Sequence, residues 1–135
     1  MNLLVRTVIT VLCGVGLYAS IFMLRKTKRA DRGELSEPSV VQQPLARLFG
    51  RIPNAALGAT YYPAFAVAIW FASAPWQLAL SLIPSGSAAL VSAFLACSLV
   101  FVTRMPCRYC WTAHAVNWTL AICNVLLLFK ISYLR

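Results

Sequence analysis

Four apolar runs separated by polar segments constrain this chain more than any other feature. They extend from about Asn2 to Leu24, Ala55 to Ala74, Ser87 to Thr103 and Pro106 to Phe129. The first is interrupted only by Arg6 and is long enough to cross a bilayer, which takes about 20 residues. Hydrophobic residues make up 61% of the 135 and charged residues only 11%, which is the composition of a membrane protein rather than of a soluble core. That length holds one bundle. The expected fold is all-α: a single-domain integral membrane four-helix bundle over residues 1–135. The first run reads as a retained helix and not a cleaved signal peptide, because no charged n-region precedes it and no small-x-small site follows.

The polar segments refine this layout. Arg25-Lys26-Thr27-Lys28-Arg29 follows the first run, and polar sequence continues to about Arg51. Within it, Val40 to Gly50 is mildly amphipathic. Leu45, Leu48 and Phe49 share a helical face away from Arg47, and Pro44 suits a helix start, so a short interfacial helix is expected in this first loop. Pro63 predicts a kink in the second span. Pro75-Trp76 closes that span, and Pro84-Ser85-Gly86 marks the approach to the third. An even number of crossings puts both termini on one side, and the loop of residues 25–53 and Cys107 on the other. The three acids, Asp31, Glu34 and Glu37, all lie in this loop. A proton-coupled transporter would need an acid inside a span. The net charge is +9, but no basic stripe with interleaved aromatics supports a nucleic-acid partner. The cations flank apolar runs, where they would face lipid headgroups.

Five cysteines, an odd number without dense spacing, do not make a secreted disulfide scaffold. Cys13 and Cys123 fall inside apolar runs and read as small hydrophobes. Cys97 lies nearer the end of its run. Cys107-Arg108-Tyr109-Cys110 is a weak motif by itself; Pro106 before it and His114 and Asn117 after it strengthen it. Pro106 suits the first turn of a helix, which puts both thiols at a helix N-terminus. There the helix dipole, Arg104 and Arg108 would favour a thiolate. Cys107, Cys110, His114 and Asn117 then share one helix face. Polar groups in hydrocarbon need a pocket or a neighbouring helix. A quinone suits such a pocket: Asn117 and Asn54 would donate to its two oxygens, and Trp111, Tyr61 and Tyr62 would wall its ring. Plainer roles exist for these residue types. Trp76 and Tyr133 suit interface anchors, and His114 and Asn117 suit interhelical hydrogen bonds. A zinc site at Cys107, Cys110 and His114 lacks a fourth protein ligand, so no metal is expected.

Two segments carry a family resemblance. Cys107-Arg-Tyr-Cys110-Trp-Thr-Ala-His114-Ala-Val-Asn117 resembles the active-site helix of the vitamin K epoxide reductase family. Leu48-Phe49-Gly50-Arg51-Ile52-Pro53-Asn54-Ala-Ala-Leu57-Gly58 resembles the segment that opens that family's second span. The resemblance implies a membrane bundle around a lipid quinone of the ubiquinone, menaquinone or phylloquinone type, with thiol oxidation coupled to reduction of the quinone or its epoxide. By position it implies that Cys110 lies beside the quinone and that Cys107 exchanges with incoming dithiols. Asn54 would bond a quinone oxygen, and His114 falls where many animal members carry a tyrosine that caps the other end of the ring. Leu57, Tyr61, Trp111 and Asn117 complete the expected quinone site.

Family members usually carry a second cysteine pair in the first loop. Here the aligned positions are Ala30 and Pro38, and residues 25–53 contain no cysteine. A relay through the loop is therefore impossible, which implies an external donor: a thioredoxin-like protein or a small thiol. A related redox task, or a non-catalytic quinone-binding membrane partner or degenerate paralogue, is the alternative. Nine of the twelve Lys and Arg lie on the Cys107 side, which the positive-inside rule would place in the cytoplasm. The family places its active site in the periplasm or the ER lumen. We adopt the family orientation: a multi-pass protein of the inner cell membrane, or of the ER membrane, with an extracytoplasmic site.

Overall fold

The computed structural model describes residues 2–48 and 50–133, so Phe49 and Arg135 lie outside the described residues. Four helices account for most of the chain: α1 (Asn2–Asp31), α2 (Asn54–Phe71), α3 (Pro75–Ser98) and α4 (Arg108–Tyr133). This is an all-α bundle. α1, α4, and α3 with the turn that follows it are long and apolar enough to cross a bilayer. α2 has 18 residues and spends several on Asn54, Thr60, Tyr61, Tyr62 and Pro63. Leu90, Phe94, Phe101 and Phe129 stay exposed, as expected of a multi-pass protein whose solvent is lipid.

The helices depart from the apolar runs at three places. α1 continues past Leu24 through the basic run to Asp31. Lys and Arg are good helix formers, so loss of hydropathy does not stop the helix. Gly33 does: at φ +71° it lets its own N–H bond the Ala30 carbonyl and the Glu34 N–H bond the Arg29 carbonyl, both at 3.0 Å. α3 starts at Pro75 rather than near Ser87. Pro75 fits a first helical position, and the Gln77 side-chain oxygen accepts the N–H groups of Ser73 (2.8 Å) and Ala74 (3.0 Å). Pro84 and Gly86 are carried inside the helix, as membrane helices tolerate. α4 starts at Arg108, so Pro106 precedes the helix instead of occupying its first turn. A single π-helical turn over Leu99–Thr103, followed by Arg104 at φ 49°, breaks the chain before it.

In the first loop, short 3-10 turns at Val40–Gln42 and Pro44–Ala46 stand in the place of the interfacial helix. Arg47–Leu48 and Ile52–Pro53 then pair antiparallel. An Arg47–Asp31 ion pair ties this loop to the end of α1.

The spatial order is α2, α1, α4, α3, and α2 barely touches α3. Ile9, Cys13, Tyr62, Phe65, Ile69, Leu78, Val116, Leu120 and Leu127 form the core. α1 and α2 approach closely because a side-chain carbon on Gly16 would strike the Tyr62 ring, and one on Gly58 would strike Ser20. At the end away from Cys107, the Arg6 guanidinium donates to the Trp70 and Ala72 carbonyls, closing the C-terminus of α2.

Candidate functional site

Because α2 and α3 stand apart, a cavity of about 350 Å³ opens between them, with α1 and α4 behind it. That is the size of a small-molecule site. The first loop closes its upper end with Val40, Val41, Gln43, Leu45 and Ala46. Loop and cysteines therefore meet at one end of the bundle, as span counting indicates.

α4 contributes Cys110, His114 and Asn117 to the lining. They sit four and three residues apart, so they stack on one helix face. Cys107 is bonded to Cys110 in a disulfide with a Cα separation of 5.2 Å, but it stands outside the lining. It caps α4: its carbonyl accepts the Trp111 N–H at 3.1 Å and its Sγ accepts the Cys110 N–H at 3.2 Å. One sulfur thus faces the cavity and the other the rim. Both residues are half-buried.

α2 contributes Asn54, Leu57, Gly58, Tyr61 and Tyr62. Asn54 begins the helix, and its Nδ2 donates to the Leu45 carbonyl at 2.7 Å, holding the loop over the cavity. One amide hydrogen is left for another acceptor. Asn117 is tied at both ends: its Oδ1 accepts the Tyr62 hydroxyl at 3.0 Å and its Nδ2 donates to Ser92 Oγ of α3 at 2.7 Å. The amides that sequence pattern offers as donors are thus largely engaged by the protein. The unpaired buried polar atoms along the cavity belong to other residues: the Tyr61 hydroxyl and His114 Nδ1 have no hydrogen-bond partner. An unsatisfied buried polar group costs about 1–3 kcal/mol, so two residues of one cavity lining that each carry such an atom are candidates for holding a polar ligand.

Trp111 does not line the cavity. It follows Cys110 directly, which turns it about 100° off that face, and it is 42% exposed. Its ring meets His114 edge-on at 6.2 Å, from outside. Tyr61 and Tyr62, 5.2 Å apart between ring centres, supply aromatic lining instead. Trp118, which no sequence pattern singles out, flanks His114 at 6.3 Å and donates Nε1–H to the Ala89 carbonyl at 3.1 Å. Asn124 was missed as well. Fully buried, its Nδ2 donates to Ser81 Oγ (2.9 Å) and Ser85 Oγ (3.1 Å). The signal was available, since Asn124 repeats Asn117 at a seven-residue spacing. Ser92 had no comparable signal.

Among the described residues, no cluster of three or more His, Cys, Asp or Glu is placed to hold a metal. Cys13 is buried, Cys123 half-buried and Cys97 exposed, all as free thiols.

The family model described as Vitamin K epoxide reductase family matches residues 7–125. No curated protein matches the chain.

Proposed function

The chain belongs to the vitamin K epoxide reductase family, and from that premise we propose that it is a membrane thiol–disulfide oxidoreductase that reduces a quinone or quinone epoxide. One observation carries the reading: Cys110, a redox-capable cysteine, lines the same apolar cavity as Tyr61 and His114, whose buried Oη and Nδ1 have no hydrogen-bond partner. A quinone offers two oxygens that need donors and a flat ring that needs apolar walls. Tyr61, His114 and the spare Asn54 hydrogen serve the oxygens, and Leu57 and Tyr62 serve the ring. Asn117 positions Tyr62 and Ser92 and so fixes the floor of the site. Trp111 steadies the His114 ring from outside.

In the reduced enzyme, Cys107 and Cys110 are thiols. Two electrons and two protons pass from them to the quinone, which leaves as hydroquinone while the Cys107–Cys110 bond forms. An external dithiol then attacks Cys107, the sulfur at the rim, and releases Cys110. The donor is a thioredoxin-like protein or a small thiol, because the first loop holds no cysteine. The site faces the periplasm or the ER lumen. In right-side-out spheroplasts, labelling of reduced Cys107 only after permeabilisation would reverse that orientation.

The test is quinone reduction by the detergent-purified protein with a neutral small dithiol as donor. Wild type should turn over, and Cys110→Ala should fall to the uncatalysed rate. Activity retained in Cys110→Ala rules the scheme out. A wild-type protein that copurifies with quinone but never turns over is instead a non-catalytic quinone-binding partner.

A further inference from the structure

We propose that the external donor is a dithiol protein that presents its thiols on an acidic face and docks on a cationic rim around Cys107. The inference rests on the reading that reducing equivalents enter at Cys107, and it specifies the partner at that step.

The rim follows from how α1 and α4 meet. Phe22 of α1 stacks on Tyr109, which lies between the two cysteines, with ring centres 3.9 Å apart. α1 then continues to Asp31, rising about 13 Å beyond Phe22 at 1.5 Å per residue. A stub of helix therefore stands beside the disulfide and projects past it. The stub carries Arg25, Lys26, Lys28 and Arg29, while Arg104 and Arg108 bracket Cys107 in the chain, both exposed.

The nearby acids neutralise only part of this charge, at Arg29. Glu34 pairs with Arg32 (2.9 Å) and Arg29 (3.7 Å), and Asp31 pairs with Arg47. Arg25, Lys26, Lys28, Arg104 and Arg108 form no ion pair among the described residues. Helices α2, α3 and α4 contain no Asp or Glu. A rim with this excess of positive charge attracts an anionic partner and speeds its encounter.

Lipid headgroups do not account for the whole rim. The apolar run of α1 ends at Leu24, and the interfacial layer of one leaflet is about 5–8 Å thick. Lys28 lies about 6 Å beyond Leu24 and Arg29 further still, at the outer edge of that layer where an aqueous partner meets them. Cys107, half-buried at this edge, suits a protruding partner thiol.

The chemical step is disulfide exchange. A partner thiolate attacks Cys107 Sγ, forms a mixed disulfide and expels Cys110 as the thiolate. The partner's second thiol then resolves the mixed disulfide. The partner leaves oxidised, and the protein has gained two electrons and two protons.

The experiment uses the oxidised full-length protein in neutral detergent, without quinone. Three synthetic Cys-x-x-Cys peptides serve as reductants, flanked by Asp, Ser or Lys runs. Alkylation and mass measurement follow the Cys107 and Cys110 thiols, with each rate divided by the same peptide's rate on a neutral small disulfide. At low salt the Asp peptide should outpace the Lys peptide by roughly tenfold or more, and the gap should close at high salt. Arg25→Gln/Lys28→Gln and, separately, Arg104→Gln should each narrow the gap. Equal rates at low salt, or a gap untouched by salt and by both variants, overturns the proposal. Loss of the gap when the protein is placed in anionic vesicles also overturns it, by assigning the rim to lipid. Charge preference without any quinone reduction leaves the docking surface standing and fails the quinone reading. Quinone turnover with no charge preference does the reverse.

Discussion

Cys107 and Cys110 are separated by one helical turn, and that turn divides the labour between them. Cys110 lines the cavity, and Cys107 caps the helix at the rim. Cys107→Ser should therefore abolish dithiol-driven turnover while leaving quinone affinity within about threefold of wild type, read by quinone fluorescence quenching. The two unpaired polar atoms permit a similar division. Tyr61→Phe and His114→Ala each remove one proposed hydrogen bond of about 1 kcal/mol, so each should raise the quinone KM roughly five- to tenfold. Tyr61→Phe should leave Tm unchanged, since the lost hydroxyl bonds to no protein group, whereas His114→Ala also empties the space of a buried ring beside Trp111 and Trp118 and should lower Tm. Asn117→Ala should behave differently. It unties Tyr62 and Ser92 together, so it should cost about 1–3 kcal/mol of stability and lower Tm along with quinone affinity.

The contact between α1 and α2 depends on glycine. Gly16 meets the Tyr62 ring and Gly58 meets Ser20 with no space for a side chain, whereas Gly14 on the same helix faces open space. Gly58→Leu should push α2 away, costing about 1–3 kcal/mol, and should loosen the cavity wall that carries Leu57 and Tyr61. Gly14→Ala should be tolerated; thermal unfolding in detergent separates the two. The existence and order of the helices were legible in the sequence because apolar runs of bilayer length report them directly. The helix ends were not. Hydropathy records where lipid stops, but a helix stops where its backbone groups find other partners. α1 therefore runs on through its basic stretch to Asp31, where the turn at Gly33 closes it, and α3 begins at Pro75 with Gln77 as its cap. Periodicity grouped Cys107, Cys110, His114 and Asn117 on one face; the last three line the cavity, because three- and four-residue spacings survive folding, while Cys107 precedes the helix and stands outside the lining. Periodicity could not say which amides the protein itself would engage. The Leu45 carbonyl and Ser92, which hold Asn54 and Asn117, come from a neighbouring loop and another helix, neither with a pattern of its own. Aromatic character alone does not give the angle around the helix that carries Trp111 off the cavity face.

At the scale of the molecule, the arrangement α2, α1, α4, α3 leaves the two outer helices apart, and the space between them is the site. The loop that closes this space is fixed from both sides, by Arg47 to the end of α1 and by Asn54 to its own Leu45. The fold thus leaves one half-buried cysteine, Cys107, at the rim and places the other, Cys110, in the cavity lining. The central claim is that electrons cross between rim and cavity through this one sulfur pair. It is tested most directly by a single turnover without any donor. The fully reduced protein is mixed with an equimolar short-chain quinone, and quinone absorbance and trapped thiols are followed together. The account predicts one quinone reduced for each Cys107–Cys110 disulfide formed, with no reaction in Cys110→Ala. Quinone left oxidised by the reduced wild type, or reduced while Cys107 and Cys110 both remain free thiols, would contradict it.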